Sequence, residues 1–296
     1  MVLGEELFMA DVEGRTFLVT GGNTGIGRAT ALGLAQRGGR VYIACRSVAK
    51  GEAAAAAIRD STGNSSVWVL PLDLADLDSV RACAVSFLER GEPLHVLVNN
   101  AGLAGVRAVT AQGFEIAFGV NHLGHFLLTN SLLGLLESSA PARVVNVASD
   151  SHYAAKGIDF GALRRPAPGI TGLPAYSVSK LCNVLFTQEL ARRTAGTGVT
   201  TYALHPGVVA SDMFRRVPWP VRPIIMRRML TVTEGAQTSL YCATSPDVAG
   251  VSGRFYEKCA EKAPSRVATP ELGRELWERS SEWTAAYLVA DESGAA

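Results

Sequence analysis

The chain has 296 residues and a mass of 31.2 kDa, which suits one large α/β domain or two domains of about 150 residues each. With 48% hydrophobic and 19% charged residues it can build a large core, and this composition excludes an intrinsically disordered protein. The net charge of +1 gives no basic footprint for nucleic acid, so we expect no nucleic-acid partner. Five widely spaced cysteines form no Cys-x-x-Cys pair, which predicts reduced thiols in a cytoplasmic protein.

The hydropathy pattern predicts no integral membrane segment. Residues 1–14 contain four acidic and no basic residues and have no apolar core, so they do not resemble a signal peptide. The longest uncharged run, residues 116–136, contains Asn121, His122 and His125, which are unfavourable in hydrocarbon. We therefore expect a buried helix in this run.

Short β-branched apolar runs alternate with longer helical patterns along the chain. The predicted strands are 16–20, 41–45, 67–70, 96–98, 144–148 and 199–204. The predicted helices are 26–36, 51–59, 77–89, a long helix ending near residue 136, and 175–193. Continuous apolar strands that alternate with helices are typical of a parallel sheet covered on both faces. The sequence therefore predicts an α/β fold, a doubly wound parallel sheet of the Rossmann type in three α/β/α layers, as a single domain over residues 1–296.

Two segments, 150–175 and 211–230, interrupt this alternation, and each follows a predicted strand. Long loops beyond the carboxyl ends of such strands usually serve ligand binding, so both are predicted substrate loops, with surface cover as the alternative. The second contains apolar residues beside Arg222, Arg227 and Arg228. It is interpreted as a lid over a lipophilic substrate. A membrane or acidic-tail contact and a short amphipathic helix on the sheet edge are the alternatives.

A glycine-rich turn, TGGNTGIG over residues 20–27, joins the first predicted strand to the first helix. Gly21 permits the tight turn, Gly25 lets the backbone approach a pyrophosphate, and Gly27 lets the helix pack on the strand. The helix N-terminus offers free N–H groups to the phosphates. The predicted cofactor-binding residues in this turn are Gly21, Asn23, Thr24, Gly25, Ile26 and Gly27.

The residue after the second strand bears on the choice between the two nicotinamide cofactors. An acidic residue is usual there when the ribose 2′-hydroxyl is bound, but this strand ends in Cys45-Arg46. A guanidinium can bind a 2′-phosphate through two hydrogen bonds. We therefore predict NADP(H) held by Arg46, with NAD(H) as the alternative if Arg46 is only a solvated charge.

Tyr176 and Lys180 lie four residues apart on one face of a predicted helix. A tyrosine that acts as an acid/base near neutral pH needs its pKa lowered by roughly three units, about 4 kcal/mol. A neighbouring ammonium group and an oxidised nicotinamide ring would stabilise the phenolate. Because this spacing occurs in many helices, its meaning depends on the surrounding motifs.

Six motifs follow one another along the chain: the glycine turn 20–27, Asn99-Asn100-Ala101-Gly102, the segment 119–126 around Asn121, Ser149 after a strand, the Tyr176/Lys180 pair, and Pro206-Gly207. In this order they resemble the motifs of the short-chain dehydrogenase/reductase family, in the branch of the retinol dehydrogenases and the WW-domain-containing oxidoreductase. The resemblance covers residues 14–283. It implies the Rossmann-type fold and oxidoreductase activity.

The resemblance also implies a catalytic tetrad of Asn121, Ser149, Tyr176 and Lys180. Tyr176 would exchange a proton with the substrate oxygen, which Ser149 would hold. Lys180 would bind the ribose and lower the pKa of Tyr176, and Asn121 would help hold a water that relays protons. The further cofactor-binding residues that it implies are Asp73, Leu74, Asn100, Ala101, Gly102, Tyr176, Lys180, Pro206, Gly207 and Val209.

Two features depart from that branch: the N-terminal anchor of its membrane-bound members is not found in this sequence, and Ser211 replaces a common threonine. A metal site at His122 and His125 is a weak alternative, because no third ligand lies nearby in sequence, and Cys182 is interpreted as a packed thiol.

The sequence predicts an NADP(H)-dependent oxidoreductase of a small lipophilic alcohol, aldehyde or ketone. A catalytically silent nucleotide-binding regulator or scaffold, and a non-redox lyase or epimerase, are the alternatives. A homo-oligomer formed through the helices that carry Asn121 and Tyr176 is also consistent with the resemblance.

Overall fold

The computed structural model describes residues 12–167, 171–209 and 230–289. The strands in these ranges are β1 (Thr16–Thr20), β2 (Arg40–Cys45), β3 (Val67–Pro71), β4 (Val96–Asn99), β5 (Ala142–Val147), β6 (Val199–His205), β7 (Arg254–Glu257) and β8 (Ala260–Glu261). The helices are α1 (Gly25–Ala35), α2 (Val48–Thr62), α3 (Leu77–Leu88), α4 (Ile116–Phe118), α5 (Gly124–Ser131), α6 (Leu133–Ser138), α7 (Leu173–Arg193), α8 (Val232–Thr244) and α9 (Pro270–Thr284). A π-helical turn (Gly119–Leu123) joins α4 to α5.

Within the described residues the strands form one sheet in the order β3-β2-β1-β4-β5-β6-β7-β8. All neighbouring pairs are parallel except β7 with β8. The chain moves outward from β1 to β3, then returns to place β4 on the other side of β1. This reversal opens a crevice at the carboxyl ends of β1 and β4, where sheets of this kind bind ligands. The predicted doubly wound parallel sheet is confirmed.

Alternate residues of the buried strands face two different cores. Leu18 of β1 belongs to a core with apolar side chains of α3, α5, α7 and α9. Its neighbours Phe17 and Val19 belong to a second core with α1, α2 and α8. Helices therefore cover both faces of the sheet, which confirms the predicted three layers and explains why these strands have no polar face.

The long helix predicted to end near residue 136 is divided. The π-helical turn interrupts it at Asn121, and Leu132, with φ −106°, separates α5 from α6. The described part of the predicted loop 150–175 contains two 3₁₀ turns, Asp150–Ala154 and Ala162–Arg164, and its last residues belong to α7, which begins at Leu173. Across the described ranges, every helix is too short or too polar to traverse a lipid bilayer.

The second predicted substrate loop lies almost entirely outside the described residues, as does Ser211; only Leu230 is described. The elements after β6, namely α8, β7, β8 and α9, were not predicted from the sequence. Organisation of residues 1–296 as a single domain stays a prediction.

Candidate active site

All predicted site residues fall within the described part of the chain, on or beside the carboxyl-end edge of strands β1 to β6. The cofactor-binding predictions are Gly21, Asn23, Thr24, Gly25, Ile26, Gly27, Arg46, Asp73, Leu74, Asn100, Ala101, Gly102, Pro206, Gly207 and Val209. The catalytic predictions are Asn121, Ser149, Tyr176 and Lys180. The parallel sheet brings these segments to one edge although they span nearly 190 positions of the sequence.

The glycine turn has the geometry that a diphosphate requires. Gly21 and Gly25 adopt φ +66° and +54°, which favours glycine, and the Cβ position at Gly25 meets no atom within 4 Å in the described structure. A side chain at Gly27 would collide with the Gly21 carbonyl and the Asn100 amide. Thr24, the N-cap of α1, makes no side-chain capping bond within the described residues. The positive end of α1 is therefore available to an anion, and the turn fits a dinucleotide.

Thr20 ties the glycine turn to the loop after β4. Its hydroxyl oxygen accepts hydrogen bonds from the backbone N–H groups of Asn100 (2.9 Å) and Ala101 (3.0 Å). The Asn100 side chain donates to the Thr20 carbonyl at 2.8 Å. A Cβ at Gly102 would lie 3.2 Å from Asn121 Oδ1 and 3.5 Å from Lys180 Nζ. This loop therefore touches the glycine turn on one side and the predicted tetrad on the other.

The residues predicted to meet the adenosine half of the cofactor follow two paired strands. Arg46 follows β2, is exposed, and makes no side-chain hydrogen bond or ion pair within the described residues. Asp73 follows β3, and its carboxylate accepts the N–H of Ala75 at 3.0 Å. Leu74 is only 6% exposed in the core, which leaves its main chain for a cofactor contact.

The Pro206-Gly207 turn lies beside the start of α1. Gly207 adopts φ +85°, and a side chain there would collide with Leu230. Val209 is 4% exposed and pairs with Leu230 in an isolated β-bridge. A Cβ at Gly235 of α8 would collide with Val209 and lie 3.3 Å from Ile26 Cγ1. The turn after β6 and the glycine turn therefore both pack against α8 at Gly235.

The structure brings the predicted catalytic residues together. Helix α7 begins after Gly172 (φ +62°) and carries Tyr176 and Lys180 on one face. The Lys180 ammonium lies 5.7 Å from the Tyr176 ring centroid and donates to the Val147 carbonyl at 2.8 Å. Ser149 follows β5 and lies close enough to Tyr176 to lower the pKa of its phenol, while the Ser149 hydroxyl donates to Ser151 Oγ at 3.2 Å. Phenol, hydroxyl and ammonium groups thus share one end of the crevice.

The Asn121 side chain is linked to this cluster by hydrogen bonds to α7 and to the loop after β4. Its amide nitrogen donates to the Leu103 carbonyl (3.0 Å) and to Ser179 Oγ (2.9 Å), and its Oδ1 accepts the Leu103 N–H (2.8 Å). The side chain therefore holds the loop after β4 against α7. The water-holding role of Asn121 stays a prediction.

The pKa values require a correction. We predicted that Lys180 lowers the pKa of Tyr176, but in the cofactor-free protein burial raises the pKa of Tyr176, and the nearby Ser149 hydroxyl opposes this only in part. Lys180 is 3% exposed, and burial lowers its pKa to about 7, so it carries only part of a positive charge at neutral pH. The protein alone therefore does not supply the acidic phenol expected from the sequence.

Sequence reasoning missed two histidines that support the site. The Nδ1 atom of His125 lies 3.1 Å from the Asn121 carbonyl, and its Nε2 lies 2.8 Å from Thr20 Oγ1. Because a carbonyl only accepts, His125 carries its proton on Nδ1 and accepts the Thr20 hydroxyl proton at Nε2. His152 makes similar contacts behind Ser149. The available signal was their position, four residues after Asn121 and three after Ser149.

His122 and His125 do not converge on a shared ligand position. His122 Nε2 lies 3.1 Å from Ser280 Oγ, whereas His125 Nε2 faces Thr20. Burial lowers the pKa of His122 to about 3 and that of His125 to about 4, so both are neutral. Cys182 is fully buried, as expected for a packed thiol, and burial raises its pKa.

Among the described residues, Asp150, His205 and Glu257 lie close together. The Lys262 ammonium lies 2.6 Å from Glu257 and 3.4 Å from Asp150. An ammonium group of the protein itself therefore already pairs with both carboxylates.

Comparison with known proteins gives concordant results. The sequence profile of the short chain dehydrogenase family matches residues 15–162. Retinol dehydrogenase 12 from Homo sapiens is 49% identical over 276 residues, which cover 91% of this chain and 86% of that protein. Dehydrogenase/reductase SDR family member 13 from Homo sapiens is 45% identical over 279 residues, with 92% and 74% covered.

Solved structures resemble the fold over most of the chain. An uncharacterised protein from Mycobacterium paratuberculosis has a TM-score of 0.75 and 34% identity, covering 95% of this chain and 97% of that one. A protein from Beutenbergia cavernae, described as an NAD(P) dependent gluconate 5-dehydrogenase with bound NADP, has a TM-score of 0.68 and 28% identity, with 84% and 96% covered. The chain therefore belongs to the short-chain dehydrogenase family, in the branch of the retinol dehydrogenases, and is an NAD(P)-dependent oxidoreductase of CH–OH groups.

Proposed function

We propose that the chain transfers hydride between NADP(H) and a lipophilic alcohol, aldehyde or ketone, with Tyr176 as the general acid/base. The observation that carries this proposal is the meeting of Tyr176, Ser149 and Lys180 beside the glycine turn at one edge of the sheet. A bound nicotinamide supplies or accepts the hydride. The protein then has to hold the substrate oxygen and move one proton.

Each side chain has a distinct part in that proton transfer. Tyr176 donates its phenolic proton to a carbonyl oxygen during reduction and removes the hydroxyl proton during oxidation. Ser149, which lies beside Tyr176, donates its hydroxyl proton to the same oxygen. Lys180 is buried beside the Tyr176 ring, and its charged form stabilises the phenolate. Burial of Tyr176 keeps the phenol protonated, which favours it as the acid for reduction.

NADP(H) rather than NAD(H) is proposed as the preferred cofactor because of Arg46. Its guanidinium is exposed beyond β2, without another partner in the described residues. No carboxylate follows β2 to repel a 2′-phosphate, since Cys45 and Arg46 are succeeded by Ser47. The NADP in the Beutenbergia cavernae structure, within the same fold, supports the same choice.

A lipophilic substrate is supported by apolar groups beside the tetrad. Leu173 lies one helical turn before Tyr176 and is 54% exposed. Val208 follows Gly207 and is 53% exposed. Relatives named as retinol dehydrogenases, at up to 49% identity, also favour a long apolar alcohol or its aldehyde. The lid predicted over residues 211–230 and the cytoplasmic location stay predictions.

The test is NADPH consumption with a panel of long-chain, isoprenoid and aromatic aldehydes and ketones. Tyr176→Phe should reduce kcat by about 10² or more while NADPH binding remains nearly intact, because only the transferable proton is removed. Tyr241→Phe, which removes a phenolic hydroxyl on α8, serves as the matched control and should retain wild-type turnover.

The two other outcomes have separate meanings. Unchanged turnover in Tyr176→Phe would exclude Tyr176 as the acid/base. NADPH binding without turnover on the whole panel would instead favour the silent regulator or scaffold.

A further inference from the structure

A buried histidine holds the turn that follows Ser149. His152 is 0% exposed, within the 3₁₀ turn Asp150–Ala154. Its Nδ1 lies 2.6 Å from the Ser149 carbonyl oxygen, and its Nε2 lies 3.1 Å from the Ser265 backbone nitrogen. A carbonyl only accepts and a backbone N–H only donates, so the ring must carry its proton on Nδ1 and a lone pair on Nε2. Both bonds therefore need the neutral imidazole.

The segment after β8 contacts the same turn at two more places. Tyr153 Oη donates to the Ala263 carbonyl at 2.5 Å. The Lys262 ammonium lies 3.4 Å from Asp150 Oδ1. Residues 262–265 therefore contact this turn, although Ser265 lies 113 positions after His152 in the sequence.

We propose that His152 is a positioning residue for Ser149. By linking the Ser149 carbonyl to the Ser265 amide, it fixes the backbone from which the serine hydroxyl reaches Tyr176. The inference rests on the proposed function, because the placement of Ser149 matters for turnover only if Ser149 holds the reacting oxygen. A displacement of about 1 Å between reacting groups can reduce the rate by roughly 10²-fold.

The same geometry makes turnover sensitive to acid. The charged and titratable groups that face His152 are Asp150 and Tyr153 on its own turn, His205 at the end of β6, and Lys262 after β8. Burial lowers the pKa of His152 below its ordinary value of 6.5. Protonation would place an N–H on Nε2 against a backbone N–H. Turnover should therefore be retained above the pKa of folded His152 and decline as the pH falls through it.

Two variants at this position separate hydrogen bonding from packing. His152→Phe keeps a ring against Phe255, whose centroid lies 4.8 Å from that of His152, but removes both hydrogen bonds. We expect kcat to fall by about 10- to 100-fold, up to the loss that a misplacement of about 1 Å between reacting groups causes, with the Kd for NADPH unchanged. His152→Gln keeps one donor and one acceptor and cannot be protonated, so it should recover most of kcat and lose the acid limb of the pH profile.

His95→Phe is the matched control. It removes another hydrogen bond between a histidine and the backbone, from the Thr16 N–H to His95 Nδ1 at 3.0 Å. This bond lies at the amino ends of β1 and β4, away from the predicted site. This variant should keep the wild-type kcat and pH profile.

The outcomes distinguish this inference from the proposed function. If the wild type turns over and His152→Phe retains kcat within about twofold, the positioning role is wrong and the proposed function stands. If His152→Phe does not fold, His152→Gln decides: an acid limb that persists in it overturns the inference. If the wild type oxidises NADPH with none of the panel, the proposed function fails and the inference fails with it.

Discussion

Replacement of Thr20 by valine tests whether polar contacts at the strand ends, rather than core packing, hold the site. Thr20 is fully buried, and valine has nearly its shape and an equal preference for strands. The change removes the acceptor for the N–H groups of Asn100 and Ala101 and the donor to His125. The Asn100 N–H keeps a second acceptor, the Val98 carbonyl at 3.0 Å, and so does not count as lost. At about 1 kcal/mol for the Ala101 N–H and about 1–3 kcal/mol for the buried imidazole nitrogen, Thr20→Val should lower the free energy of unfolding by about 2–4 kcal/mol.

The same strand offers a matched control. Thr16 is also fully buried in β1, but its hydroxyl has no hydrogen-bond partner among the described residues. Thr16→Val should therefore leave the free energy of unfolding unchanged or raise it by about 1 kcal/mol. Urea unfolding of the three proteins, compared at equal m-value, measures the difference. The reasoning is refuted if the two variants differ by less than about 0.5 kcal/mol, which is the scatter of ordinary surface substitutions.

Two further predictions concern charge. Arg46→Asp should reduce the ratio of kcat/KM for NADPH to that for NADH by about 10-fold or more, since about 1.4 kcal/mol of binding is sufficient. Arg81→Asp, the same charge change at an exposed position of α3, is the control. An unaltered ratio in Arg46→Asp would place the 2′-phosphate elsewhere, with Arg28 and Lys50 as the alternatives. Burial lowers the pKa of Lys180 to about 7 in the folded protein, below its unfolded value of about 10.4. Between these two pH values the unfolded chain binds more protons than the folded protein. The free energy of unfolding of the cofactor-free protein should therefore increase as the pH rises from 7 to about 10. Lys180→Met should lose this gain in urea titrations at several pH values, and an equal gain in both proteins would show that Lys180 is not the source.

The first six strands could be predicted because burial on both faces gives them continuous apolar runs. The prediction of 16–20 coincides with β1. Helix α9 (Pro270–Thr284) was missed because six of its 15 positions are exposed and charged, and only five, among them Leu276 and Trp277, are buried. Its start was nevertheless visible as Thr269 followed by proline, a usual N-cap and first-turn pair. For α8, the pair Thr231 and Glu234 forms a capping box that the sequence also displays.

The residues of the tetrad could be proposed from motifs, but the hydrogen bonds that support them and the direction of their pKa shifts could not. His125 and Thr20 are 105 positions apart in sequence, and only the fold shows that they meet. The direction of the Tyr176 pKa in the cofactor-free protein could not be predicted, because local sequence cannot weigh desolvation against the charge of a lysine whose own pKa burial lowers. The lower pKa expected with a bound nicotinamide stays a prediction.

Two buried histidines fix separate halves of the site by the same physical means. Each bridges a backbone carbonyl and a donor, so each is needed as the neutral imidazole, and burial lowers the pKa of both. His125 connects Asn121 to Thr20 and so to the cofactor-facing loop, whereas His152 connects Ser149 to Ser265. Within the part of the chain that the structure describes, the two bridges share no hydrogen bond. The cofactor side and the substrate-oxygen side of the crevice are therefore held by independent contacts, so a change in one need not displace the other.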